Sequence, residues 1–135
     1  MARKENWTLA LQRVTRAASN LPHAWGSHDC VTFGADCVLA MTGSDPIENE
    51  RGTYATAHEA ARIVKDAGCE SLGDLVAQRL PEIQVAYARR GDAVLCEGPE
   101  GVFIAICDGH TAVGPSRHGL VHVPMSQALR AYQVG

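Results

Sequence analysis

The run from Gly91 to Val113, GDAVLCEGPEGVFIAICDGHTAV, decides the fold. Ala93 to Cys96 is an apolar strand, and Gly98-Pro99-Glu100-Gly101 is a strong turn. Val102 to Cys107 is apolar without a break, as a central buried strand would be. Asp108-Gly109 is a type I′ hairpin signal, and His110 to Val113 is its return strand. Short strands joined by tight turns make an antiparallel meander.

Working outward, Leu120 to Val123 adds another short strand, and Ser126 caps a last helical turn through Leu129 and Tyr132. On the other side, Ile83, Val85 and Tyr87 alternate with polar or small residues. Before Pro81 the period is helical. Trp7, Leu11, Val14 and Ala18 form one stripe, ending near Asn20 and broken by Leu21-Pro22. Cys30, Phe33, Cys37, Val38 and Met41 form a second, capped by Asp29 or Ser27 and stopped at Thr42-Gly43. Thr56 to Glu59 is a capping-box pattern ahead of Ala60, Ile63, Val64 and Ala67, with Gly68 as terminator. Ser71 and Asp74 start a short helix that holds Leu72, Leu75, Val76 and Leu80. Helices come first and sheet second, which predicts an α+β single domain over 1–135, helical over 1–81 and sheet over 82–135.

The chain has 135 residues, enough for one core without covalent staples. A formal net charge of −3 gives no nucleic-acid footprint. No apolar run approaches the roughly 20 residues of a membrane span, so membrane insertion is not expected. The charged start lacks an apolar h-region, which predicts no signal peptide and synthesis in a reducing cytoplasm. The five cysteines are odd in number, which argues against a disulfide framework.

Cysteine and histidine are what catalysis recruits, and six histidines accompany the five thiols. Cys30 follows a loop and opens a predicted helix. The helix dipole and the unpaired N–H groups there favour a thiolate, so Cys30 is the candidate nucleophile. The alternative is a structural cysteine at the start of an apolar face. Cys37 lies on the same face and reads as packing. His28, His110, His118 and His122 are candidate bases, each set against an ordinary surface histidine; His58 sits inside a capping box. His122 lies between Val121 and Val123, so alternation turns it to the opposite face. Asp29 is a cap that also orients Cys30, and Asp36 is exposed or paired with a loop. Trp25, ahead of Cys30, is the candidate substrate contact. No Cys-x-x-Cys or His-x-x-x-His spacing is present, so neither a metal nor a cofactor is expected.

Trp25-Gly26, Asp29-Cys30, then Phe33, Ala35, Asp36, Val38, Ala40, Thr42-Gly43 and Asp45-Pro46 together resemble a family of small tailed-phage proteins. Arg90-Gly91-Asp92-Ala93-Val94-Leu95 resembles that family's sheet motif, and Gly119 to Tyr132 its closing strand and helix. The resemblance runs from about Trp7 to Val134. That family is similar to the NlpC-type cell-wall cysteine peptidases, whose fold is papain-like. The resemblance implies Cys30 as nucleophile and amide hydrolysis in peptidoglycan stem peptides. It also implies a histidine in the strand after the Gly-Asp strand, where this chain has Phe103 nearest, and a third polar residue near Val113. Two of three catalytic positions are therefore apolar, and His110 or His122 would substitute only through a shift of strand register. The expectation is a structural or assembly component of a phage tail tip or baseplate on a degenerate peptidase fold. Its partners would be hub, distal tail or tip subunits, and its place the virion. The alternative is an active endopeptidase acting on peptidoglycan during phage entry. A toxin or amidase-like effector would share the same fold.

Overall fold

The computed structural model describes residues 2–135. Four helices precede the sheet: α1 Trp7–Ala18, α2 Cys30–Thr42, α3 Ala57–Asp66 and α4 Leu72–Ala77. The caps that the sequence carries are in place. Thr56 Oγ1 accepts from the Glu59 N–H and Ser71 Oγ from the Asp74 N–H, so α3 and α4 begin where a side chain replaces a missing backbone partner. Gly43 ends α2 at φ 83°, in the left-handed region.

Six strands follow: β1 Glu82–Ile83, β2 Ala93–Gly98, β3 Gly101–Cys107, β4 Thr111–Ser116, β5 Gly119–Pro124 and β6 Ala128–Tyr132. They form one antiparallel sheet in the order β1-β6-β2-β3-β4-β5. The molecule is thus α+β, with N-terminal helices on a C-terminal sheet. The run from β2 to β5 is the expected meander, and β6 returns to insert between β1 and β2.

Alternation gives the sheet two apolar faces. Ala93, Leu95, Ile104, Ile106, Val113 and Tyr132 pack with Leu11, Phe33, Cys37, Val38 and Met41 of the helices. Val94, Cys96, Ala105, Ala112, Val123 and Ala131 point the other way. No helix covers that second face among the described residues. It is closed by short-range elements, including Val85, Phe103 and Met125. Phe33 is the largest apolar side chain that α2 buries, and burying a residue of that size contributes about 2 kcal/mol.

Three local expectations are overturned. Val85 and Tyr87 are not strand: only Glu82 and Ile83 pair with β6, after which Val85–Tyr87 is a 3₁₀ turn with Tyr87 N–H on Gln84 C=O. The last helical turn is strand β6, preceded by a 3₁₀ turn over Met125–Gln127. Five residues are too few to stabilise a helix alone, whereas in the gap between β1 and β2 their backbone groups find partners on both sides. The β3–β4 turn is not type I′. That type needs positive φ at both central residues, and the central pair is Gly109-His110, of which only Gly109 has it.

Candidate functional site

The site is built from the loop ahead of α2. Ala24 and His28 exchange backbone hydrogen bonds of 2.9 and 2.8 Å, which folds residues 24–28 into a tight loop. Gly26 lies at φ 83°, and a Cβ there would fall 1.9 Å from the Tyr54 carbonyl oxygen. Only glycine lets the loop rest against the Tyr54 backbone. The loop delivers Asp29, 1% exposed, to the start of α2. Asp29 Oδ1 accepts from the Thr32 N–H at 2.8 Å, while Thr32 Oγ1 accepts from the Asp29 N–H at 2.8 Å. Asp29 Oδ2 accepts from the Gly26 N–H at 2.9 Å and from the Tyr54 hydroxyl at 2.7 Å. Asp29 is therefore the cap, and Ser27 is not.

Cys30 is the first residue of α2 and lies on the wall of a cavity of about 290 Å³. The cavity sits among α2, α3, α4 and β3, and Val102 and Ile104 of β3 line it beside Trp25 and Tyr54. The expected lowering of the thiol pKa does not occur. Burial pushes Cys30 up to about 11, and the Asp29 charge adds to it. Backbone hydrogen bonding at Ile104, Cys30 and Val31 pulls the other way and is outweighed. Desolvating a thiolate costs more here than the helix N-terminus returns.

No histidine lines this cavity. His28, two residues from Cys30, turns toward α1 and borders a groove with Leu21, Phe33 and Asp36. Its ring meets Phe33 edge-on at 6.1 Å, and its Nε2 is buried without a partner. His110 is exposed in the β3–β4 turn. His122, on β5, faces away from the side of Val123, as alternation requires, but it is exposed, with Nδ1 3.3 Å from Thr111 Oγ1 and 3.5 Å from Asp108 Oδ2. His58 and His118 are exposed as well, and His23 packs edge-on against Trp25 at 4.8 Å.

Phe103 does not face Cys30. Its ring packs on the opposite side of the sheet, where Gly114 makes room for it; a Cβ on Gly114 would lie 2.8 Å from the ring. The β3 residues that line the Cys30 cavity are Val102 and Ile104, and Val113 is buried in the helix-side core. The cavity thus offers a thiol and no histidine to take its proton or to protonate a leaving amine.

Tyr54, Glu50 and Arg79 also line the cavity. Arg79 Nη2 donates to Glu50 Oε1 at 2.6 Å. Arg79, just past α4, also donates to the Pro46 carbonyl at 2.8 Å, a long-range contact that no local spacing encodes.

The chain matches a family model described as a domain of unknown function, DUF6950, over residues 2–134. No curated protein and no solved structure matches it. Since the match covers nearly every residue, this chain belongs to the DUF6950 family of domains of unknown function.

Proposed function

We propose that the domain is a structural or assembly component of a phage tail tip or baseplate, built on a degenerate NlpC-type, papain-like fold. Its partners are other tail proteins (hub, distal tail or tip subunits), and its place is the virion. The motif around Trp25, Gly26, Asp29 and Cys30 supports the family reading. The observation that carries loss of activity is the cavity: Cys30 stands on its wall and no histidine does. Burial also pushes the Cys30 thiol up to about 11, which disfavours the thiolate at neutral pH. The test is a phage carrying Cys30→Ala. Particles that assemble normally and remain infectious are expected. Normal particles that fail to infect would overturn this reading.

One observation favours the alternative, an active peptidoglycan endopeptidase: the sulfur lies at a helix N-terminus on a cavity wall. That reading requires Cys30 to react with a thiol reagent far faster than Cys69, the other partly exposed cysteine, at neutral pH. The assembly reading expects no such advantage.

A further inference from the structure

The cavity beside Cys30 is lined mostly by apolar side chains. Its roof is α3, a helix with no buried residue, whose half-buried Ala60, Ile63 and Val64 face the void. The charged side chains on the wall, and the Tyr54 hydroxyl, are already engaged. Glu50 and Arg79 hold each other at 2.6 Å, and the Tyr54 hydroxyl is given to Asp29 at 2.7 Å. A charged or peptide-like group entering here would lose its water and find almost nothing to replace it. Its volume of about 290 Å³ is roughly twice the ~150 Å³ of an apolar cavity that takes up benzene.

We propose that this cavity is a binding site for a small uncharged hydrocarbon ligand, the size of two fused aromatic rings or a short aliphatic chain, with α3 as its cover. The inference rests on the wall and the volume and not on the tail-assembly reading. An infectivity result with Cys30→Ala leaves it untouched, and a failure to bind leaves the assembly reading untouched.

The test uses the intact chain and the fluorophore N-phenyl-1-naphthylamine. Saturable, one-site enhancement is expected, competed by naphthalene if the site takes fused rings and by 1-decanol if it takes aliphatic chains. Ala60→Trp fills the void from a helix that holds no part of the core, and is expected to weaken binding about tenfold or more with the thermal melt preserved. A second readout needs no variant: bound naphthalene is expected to slow methylthiolation of Cys30 at alkaline pH, while Cys69 is unaffected. Absence of saturable binding would overturn the proposal. So would binding that neither Ala60→Trp nor Cys30 protection reports.

Discussion

Asp29 and Asp92 are both buried carboxylates, each 1% exposed and each satisfied by three donors, but the donors differ in kind. Asp92 takes the Arg3 guanidinium at 2.8 Å together with the Val134 and Arg89 N–H groups. The same Arg3 donates to the Val134 and Arg90 carbonyls and lies over the Trp7 ring at 4.3 Å. Asp92 is therefore a clasp that joins the chain's first residues, the start of β2 and the last residues. Asp29 takes only neutral donors, all from Gly26, Thr32 and Tyr54. A carboxylate with a cation ties distant segments together. Asp29, held by neutral dipoles, shapes the loop ahead of α2 and joins it to Tyr54, and its charge helps raise both the Tyr54 hydroxyl and the Cys30 thiol.

The comparison breaks most directly at the clasp. Removing one partner of a buried ion pair strands the other, which costs about 3–5 kcal/mol. Arg3→Ala is expected to show a loss of that order in urea unfolding. A loss below about 1 kcal/mol would mean that the Arg3–Asp92 pair is solvated and the two carboxylates are alike.

At the other carboxylate, Asp29→Ala removes the α2 cap and orphans two further donors, an expected loss of about 2 kcal/mol. It also removes a charge that holds the Cys30 thiol up, so thiolate absorbance is expected to appear at lower pH than in the parent chain. Tyr54→Phe deletes one of the three hydrogen bonds, for about 1 kcal/mol. If Asp29→Ala leaves the Cys30 titration unmoved, the Asp29 charge does not reach the sulfur.

The two carboxylates also show what a sequence carries locally and what it does not. Asp29 is legible as a cap, because the Asp29–Thr32 exchange spans one helical turn. Its third partner, Tyr54, lies 25 residues away and is not. Asp92 reads only as part of a turn before β2, since Arg3 and Val134 reach it from the two ends of the chain. The helices and the meander were legible for the same reason as the cap: their periods are local. Strand β6 was not, because Ala128–Tyr132 is made a strand by the gap between β1 and β2 that it fills. At the site, the position of Cys30 at the start of α2 is legible, but the upward shift of its thiol comes from burial by residues distant in sequence, which outweighs the lowering by the Ile104 backbone.

The smallest effect concerns how far the Asp29 charge extends on its other side, toward His28. Burial lowers the His28 pKa below 6.5, and His23 adds to this, while Asp36 and Asp29 oppose it. The unfolded chain therefore binds more protons than the folded one just below pH 6.5. His28 supports the fold fully above that value, and its contribution is lost as pH falls through the interval beneath it. Asp45 and Glu50, held low chiefly by their hydrogen bonds to Arg51 and Arg79, lose theirs only below ordinary carboxylate values, so the two windows separate. Thermal melts from about pH 7.5 to 5 are expected to fall, and to fall less steeply in His28→Gln. In Asp29→Ala the slope is expected to steepen, because one of the charges that favours the imidazolium is gone. An unchanged slope in His28→Gln would assign that pH dependence to another group and leave Cys30 and Tyr54 as the neighbours that sense Asp29.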